Sequence, residues 1–155
     1  MRISAEKLTE IAHTILFYAG KNNAAAKQVA ARLINANLSG HDSHGVGMIP
    51  AYVQGILSGE LVPEAEIEVV EDKGPFLLID GGRGFGHVIA EQAMEKAIQR
   101  AKTSHFALLS LRNSFHLGRL SDWGEMAAKA GFICIIYANV QSERPIVAPH
   151  GGTDA

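Results

Sequence analysis

Two histidines of this chain lie in short, polar, glycine-flanked segments that interrupt apolar sequence. His44 lies in Gly-His-Asp-Ser-His-Gly at residues 40–45, and His116 lies in Asn-Ser-Phe-His-Leu-Gly-Arg at residues 113–119. An unperturbed imidazole takes up and releases a proton close to neutral pH. The two segments therefore indicate acid–base chemistry.

The residues around both histidines leave other interpretations open. A serine nucleophile at Ser43 needs a glycine two residues earlier to relieve a strained turn, but His41 stands there. His41 and His44 could share a helical face as metal ligands, although no cysteine accompanies them and Asp42 would point elsewhere. His44 could also close a helix junction by hydrogen bonds alone. His116 could be a solvent-facing loop residue.

A third polar segment is rich in glycine. Gly-Gly-Arg-Gly-Phe-Gly at residues 81–86 lies between a predicted strand and a predicted helix, where a dinucleotide-binding loop would lie. The Rossmann pattern requires G-x-G-x-x-G, and here the third glycine comes one residue early. A tight glycine-rich turn is therefore favoured, with a backbone platform beside a ligand as the alternative.

Helices are predicted to position the first histidine segment. One helix begins after the N-cap Ser4 and ends at Gly20, because apolar residues recur at helical spacing between them. A second is predicted over residues 23–38 and a third over residues 50–57. The segment that contains His44 therefore joins two helices.

The sequence changes character after Pro63. Alternating and buried apolar runs predict strands there, and 3.6-residue periodicity predicts helices between them. We place a boundary near residue 60, which separates an N-terminal helical segment, residues 1–60, from a sheet-containing part, residues 61–155. The elements predicted in the second part are strands at 65–70 and 76–80, a helix at 88–102, a strand at 106–111, a helix at 120–130 and a strand at 132–139.

Composition argues against two kinds of partner. Lys and Arg total 14 against 16 Asp and Glu, with no run of like charge. This distribution is unlike the basic surfaces that bind nucleic acid or anionic membranes. No apolar run approaches the roughly 20 residues of a membrane span. With a single cysteine and hence no disulfide framework, the sequence predicts a cytoplasmic protein.

Four segments taken together resemble the type-2 malate/L-lactate dehydrogenases, which are NAD(P)-dependent 2-hydroxyacid dehydrogenases. They occur in the order and approximate spacing of that family. The variant Gly-Met-Ile-Pro at residues 47–50 looks closest to the hydroxycarboxylate dehydrogenase branch, which reduces aryl and dicarboxylic 2-oxo acids. The four segments are GHDSHGVGMIPAY at 40–52, DGGRGFGHVIA at 80–90, NSFHLGR at 113–119 and VAPHGGTD at 147–154.

The resemblance implies an α+β fold that differs from the Rossmann fold. It consists of the N-terminal helical segment followed by a mixed, mainly antiparallel sheet with helices, and this sheet domain binds NAD or NADP. The implied reaction is hydride transfer between the cofactor and a small-molecule 2-oxo or 2-hydroxy acid, usually by a homodimer. Such a reaction also needs a proton donor when the carbonyl oxygen gains charge.

The resemblance also assigns roles to residues. His116 and His44 are expected to be catalytic, with His116 favoured as the acid–base group. Ser43 and Asp42 are expected to fix the imidazole of His44 by hydrogen bonding. No metal site is expected. The residues expected to bind substrate are Ser43, Arg119, Tyr52 and Asn139, and those expected to bind the cofactor are His44, Gly118 and Pro149.

Two departures from the family pattern matter. Many members carry arginine where this chain has Met48, and methionine cannot grip a substrate carboxylate. The resemblance also covers nearly all of this chain but only about half of a member's length. We therefore expect either a fragment of the enzyme or a noncatalytic remnant that acts as a dimerisation or binding module.

Overall fold

The computed structural model describes residues 3–139, which begin with three helices. Helix α1 spans Ala5–Gly20, α2 spans Asn23–Leu38 and α3 spans Ile49–Ser58. Two single turns of 3₁₀ helix, Asp42–His44 and Val46–Met48, connect α2 to α3. The first histidine segment therefore joins two helices, as predicted.

Polar caps fix the ends of these helices. The Ser4 hydroxyl accepts a hydrogen bond from the backbone N–H of Lys7 at 3.3 Å, as expected of an N-cap. The Asn22 side chain accepts one from the backbone N–H of Ala25 at 3.1 Å and begins α2 in the same way. Gly59 ends α3 in the left-handed conformation, at a φ of 76°. The predicted bounds of the first two helices are confirmed.

The second part of the described chain contains a three-stranded mixed sheet. Strands β1 and β2 pair in antiparallel fashion, whereas β2 and β3 are parallel and are connected through α4. The α+β class with a mixed sheet is confirmed. The elements are β1 at Glu68–Lys73, β2 at Phe76–Gly84, α4 at Gly86–Ser104, β3 at Leu108–Ser114 and α5 at Ser121–Lys129.

The first predicted strand is displaced along the chain. It was expected over residues 65–70 but begins at Glu68, and Lys73 pairs directly with Phe76. Only Gly74 and Pro75 remain as the turn, with Gly74 at a φ of 56°. Pairing with β2 therefore sets the strand, and the alternation of apolar side chains alone did not locate it.

The strand predicted over 132–139 is wrong for the described residues, where this segment has no regular element. Its burial still alternates with a period of two, and Ile133, Ile135 and Tyr137 are 97%, 76% and 92% exposed. A strand is defined by ladder hydrogen bonds to a neighbour, and no described strand pairs with this segment. The segment has the side-chain pattern of a strand without its partner.

The main apolar core lies between the three N-terminal helices and the start of α4. Leu16 of α1, Leu33 of α2 and Tyr52 of α3 are almost fully buried in it. Leu61 and Phe85 join the same core from beyond residue 60. The boundary near residue 60 stays a prediction. No helix within residues 3–139 is both long and apolar enough to cross a membrane.

Candidate functional site

Four imidazole rings and one phenol lie together between α3, the start of α4 and the loop after β3. We call this group the histidine cluster; it consists of His41, His44, His87, His116 and Tyr52. The ring centroids of His41 and His44 are 4.8 Å apart, those of His44 and His116 are 5.1 Å apart, and those of His116 and His87 are 6.1 Å apart. The structure therefore brings both sequence-predicted histidines into one site.

His116 is placed by the backbone around it. The backbone N–H of Phe115 donates to the carbonyl oxygen of Gly84 at 3.1 Å, which ties the loop after β3 to the end of β2. A Cβ atom on Gly86 would overlap the carbonyl oxygen of His116. The glycine therefore lets the first turn of α4 lie directly against the His116 backbone.

Tyr52 lies behind His116 and hydrogen-bonds to it. Its hydroxyl oxygen is 2.7 Å from His116 Nδ1, and the residue is 0% exposed. Burial raises the pKa of the phenol. The ring makes edge contacts with Phe85 and Phe115, at centroid distances of 6.0 and 5.8 Å. Its packing explains why Tyr52 can touch His116 yet has no free surface of its own.

The 3₁₀ turn holds His44 at the outer side of the histidine cluster. Ser43 Oγ and His44 Nδ1 are 2.9 Å apart and hydrogen-bond, as the resemblance implied. Asp42 bonds elsewhere, because its Oδ1 accepts from Asn37 Nδ2 at 2.5 Å. Asn37 Oδ1 in turn accepts from the backbone N–H of Val46 at 2.9 Å. The expected Asp42 contact to the imidazole is therefore replaced by a contact that fixes the turn to α2.

His87 forms the buried end of the histidine cluster. It is 1% exposed, and no hydrogen-bond partner of its Nδ1 lies among the described residues. A Cβ atom on Gly118 would overlap His87 Nε2, and Gly118 has a φ of 72°. Burial, followed by the positive charges of His116, Arg32 and His44, lowers the pKa of His87 to about 3. The ring is therefore neutral across the physiological range.

The two rings at the centre of the histidine cluster, those of His116 and His44, are also neutral. Burial and the positive charge of His44 lower the pKa of His116 to about 4. Burial, followed by the charge of His41, lowers the pKa of His44. In the chain alone, both sequence-predicted histidines are thus uncharged at neutral pH.

Arg119 is already engaged by carboxylates. Its Nε donates to Asp122 Oδ1 at 2.8 Å, and one of its terminal nitrogens donates to Glu125 Oε1 at 3.1 Å. The Asp122 side chain is 2% exposed, and its other oxygen lies 3.6 Å from Arg32 of α2. This network joins α2 to α5 and holds the end of the segment that contains His116.

The remaining predicted residues lie outside the histidine cluster or outside the described chain. Asn139 is exposed at the end of the unpaired segment, and Pro149 lies beyond the described residues. Met48 is half-buried against the main core, which its apolar side chain suits. Within residues 3–139, no group of three or more histidine, cysteine or acidic side chains is arranged to hold a metal ion.

Sequence reasoning did not single out His87 or pair Tyr52 with His116. In the sequence, His87 stands directly before the helix predicted at 88–102, and no local motif assigns it a part in the chemistry. The signal that could have found it is Gly86, because a glycine at a predicted helix start admits a close neighbour. Tyr52 and His116 are 64 positions apart, and nothing local announces their contact.

A profile of the malate/L-lactate dehydrogenase family matches residues 3–155. The chain belongs to this family. The resemblance carried by the four sequence segments is thereby confirmed, and three of those segments contribute residues to the histidine cluster. The histidine cluster is therefore built from segments that carry the family resemblance.

Individual family members are similar over almost the whole chain. Hydroxycarboxylate dehydrogenase B of Escherichia coli K12 is 40% identical over 154 residues, which are 99% of this chain and 42% of the relative. L-lactate dehydrogenase of Cupriavidus necator is 34% identical over 98% of this chain and 44% of its own length. The solved structure of malate dehydrogenase from Pyrococcus horikoshii superposes with a TM-score of 0.79 and 34% identity, over 84% of this chain and 38% of that one.

The chain thus spans less than half the length of the curated family members it matches. The histidine cluster lies within the shared part. The unpaired segment at 132–139 also lies there, near the end of the described residues.

Proposed function

We propose that this chain supplies the proton-transfer site of an NAD(P)-dependent 2-hydroxyacid dehydrogenase. The observation that carries the proposal is His116 in a member of the malate/L-lactate dehydrogenase family. Its half-buried imidazole is hydrogen-bonded to a buried tyrosine, and its ring centroid is 5.1 Å from that of His44. The reaction interconverts a 2-oxo acid and a 2-hydroxy acid.

NAD or NADP would carry the hydride in this reaction. His44 and Gly118 are the described residues that we assign to its nicotinamide end, together with Pro149. The fit is good at His44, whose neutral, partly exposed ring can pack against a flat group. At Gly118 only the backbone is available, because His87 already fills the space that a side chain would occupy. Finding both beside His116 supports the assignment.

His116 holds or releases the proton at the substrate oxygen. In reduction the carbonyl oxygen gains negative charge, and a protonated imidazole neutralises it by donating a proton. His116 is neutral in the chain alone, but the carboxylate of a bound 2-oxo acid favours its charged form and raises its pKa. The substrate itself would thus help to charge the group that protonates it.

The substrate carboxylate has fewer cationic partners here than the family pattern provides. We propose Ser43, Arg119, Tyr52 and Asn139 as the residues that bind or position substrate. Arg119 would reach a carboxylate by releasing Glu125, which is half-exposed, while keeping the buried Asp122. Tyr52 would act through His116, since it has no exposed surface.

Two features support a homodimer, which we propose as the working form in the cytoplasm. Ile11, Ile15 and Tyr18 of α1 are 40%, 41% and 66% exposed and fall on one side of the helix. Apolar side chains also protrude from the segment 132–139. Sedimentation equilibrium of the purified chain tests the oligomeric state.

The activity is tested by following NADH and NADPH oxidation by the purified chain against pyruvate, oxaloacetate, 2-oxoglutarate and phenylpyruvate. Substrate-dependent turnover that is lost in His116→Asn, with cofactor binding retained, is the expected result. Loss of a proton-transfer group affects the transition state more than it affects the bound cofactor. Unchanged turnover in His116→Asn would remove His116 from the mechanism.

A second candidate is a noncatalytic dimerisation or binding module, and the exposed apolar segment at 132–139 is the observation that favours it. Cofactor titration by protein fluorescence separates the two functions. Absence of turnover together with absence of NADH and NADPH binding would favour the module. Cofactor binding with turnover favours the dehydrogenase.

A further inference from the structure

We propose that Tyr52 is a positioning residue that selects the tautomer of His116. In this arrangement the Tyr52 hydroxyl donates to His116 Nδ1, so that the ring carries its proton on Nε2 and meets the substrate oxygen through Nε2. The catalytic meaning of this tautomer rests on the proposed function. The tautomer itself is a property of the folded chain.

The direction of the hydrogen bond follows from burial. Tyr52 is 0% exposed, and within residues 3–139 the hydrogen-bond partner of its hydroxyl is His116 Nδ1, at 2.7 Å. A buried hydroxyl that donates to nothing is costly, so its proton must point at an acceptor. A neutral imidazole offers one acceptor nitrogen, and here that nitrogen is Nδ1.

Packing keeps the phenol in this position. The Tyr52 ring is enclosed by Phe85, Phe115 and His87, with centroid distances of 6.0, 5.8 and 6.0 Å. The Tyr52 side chain projects from α3 at a position that is fully buried in the main core. A hydroxyl on such a ring has little freedom to turn away from His116.

The surroundings of His116 also favour the neutral ring that this bond needs. Among residues 3–139, the titratable groups that face it are His44 from the 3₁₀ turn, His87 from α4 and Tyr52 from α3. None of these three carries negative charge at neutral pH, and His44 opposes a positive charge on His116. A neutral His116 that accepts from Tyr52 therefore satisfies both side chains.

The tautomer determines that Nε2 is the ring nitrogen that faces the substrate oxygen. With Nδ1 occupied, the neutral ring presents an Nε2–H donor to the carbonyl oxygen of a 2-oxo acid. When the ring is protonated, the Tyr52 oxygen accepts from Nδ1–H and the Nε2–H bond is the one that breaks as an O–H bond forms on the substrate. The transfer leaves the neutral ring with its proton on Nδ1, where the Tyr52 oxygen accepts it, so that in the reverse direction the free Nε2 takes the proton back.

The first test is nitrogen-15 NMR of the histidine rings in the chain at pH 7, without cofactor or substrate. Protonated and unprotonated ring nitrogens resonate far apart, and His116→Gln identifies the His116 signals by their disappearance. We expect an unprotonated Nδ1 and a protonated Nε2. A protonated Nδ1 in the chain with Tyr52 intact would overturn the proposal.

The second test compares Tyr52→Phe with Tyr18→Phe, which removes the same hydroxyl from an exposed ring of α1. Without the Tyr52 hydroxyl, no donor among the described residues holds the lone pair of His116 Nδ1, so the neutral ring should become a mixture of the two tautomers. Tyr18→Phe should leave the tautomer unchanged. A Tyr52→Phe variant that keeps the tautomer of the unmodified chain would also overturn the proposal. Because this readout does not use turnover, an inactive chain leaves this test intact and bears only on the proposed function. If Tyr52→Phe fails to fold, the first test still decides.

Discussion

At the scale of single residues, the surroundings of the histidine cluster disfavour positive charge on its imidazole rings. Burial is the first cause of the lowered pKa values of His44, His87 and His116, and repulsion by a neighbouring histidine is the second. A positive charge on His44 therefore makes protonation of both His116 and His87 harder. None of the side chains of the histidine cluster supplies a negative charge, and the carboxylate of a proposed substrate would supply one.

His44→Gln should raise the pKa of His116. The change removes the positive charge that acts on His116 and leaves burial, the larger cause, in place. The His116 midpoint, followed by NMR, should therefore move up from about 4 but stay below 6.5, the ordinary value.

His41→Gln is the matched control for this prediction. His41 acts on His44, whereas His116 is affected by His44. The control should raise the pKa of His44 and leave His116 nearly unchanged. A His116 midpoint that moves equally in both variants would contradict the assigned causes.

Local sequence located the two candidate histidines but not what surrounds them. Glycine-flanked polar motifs pointed to His44 and His116 because such loops can hold functional side chains. The contact between Tyr52 and His116 depends on how α3 packs against the loop after β3, which no motif encodes. For the same reason, Arg119 looked available from sequence, although Asp122 and Glu125 engage it in the fold.

At the scale of elements, the close approach of α4 to β2 and to the loop after β3 determines the geometry of the histidine cluster. Gly81 and Gly84 of β2 lie against Ile89, and Gly86 lies against the backbone of His116. The glycine-rich segment that failed the Rossmann spacing is therefore explained by packing of a helix on a strand and a loop. The prediction of a tight glycine-rich turn is wrong for most of the segment, because residues 81–84 belong to β2, although Gly82 does have a positive φ, of 55°.

Gly86→Ala should destabilise the fold and displace His116. Its Cβ atom would overlap the His116 carbonyl oxygen, and backbone cannot yield as a flexible side chain can. We expect a loss of about 1–3 kcal/mol in the free energy of unfolding, measured by chemical denaturation.

Gly124→Ala is the matched control, because nothing lies within 4 Å of the added atom in α5. Alanine in a helix interior should increase the free energy of unfolding by about 0.5–1 kcal/mol. Equal stability changes of the same sign in both variants would show that close packing at Gly86 is not what the glycine provides.

The helices were more predictable than the strands. Periodicity and caps gave α1 and α2 their observed ends, since both signals are local. Strand β1 was displaced and the segment 132–139 formed no strand, because a strand exists only through its partner. An apolar alternation reports which side chains could share a face, and pairing decides where the ladder forms.

At the scale of the whole molecule, His87 should make stability depend on pH. Its pKa in the folded chain is about 3, below the ordinary 6.5, so the unfolded chain binds a proton more readily. The stability it contributes is fully present above pH 6.5 and is lost as pH falls toward 3. Between pH 7.5 and 5 the loss should be about 2 kcal/mol.

His87→Leu isolates this contribution. Leucine fills the buried position without a titratable group, and His87 Nδ1 has no partner among the described residues that the change would leave unsatisfied. Chemical denaturation at several pH values should show a shallower fall in stability for the variant than for the unmodified chain. Identical pH dependence in the two would mean that His87 is not the buried neutral group described.

Phe85 makes packing of the N-terminal helices depend on a part of the chain that is synthesised later. It lies between β2 and α4, is 3% exposed, and completes the core formed by the three N-terminal helices. Those helices leave the ribosome before Phe85 does, so their core stays incomplete until β2 has followed. We therefore expect the nascent chain to gain stable helical packing late, together with the sheet, and Tyr52 to find His116 only after that step.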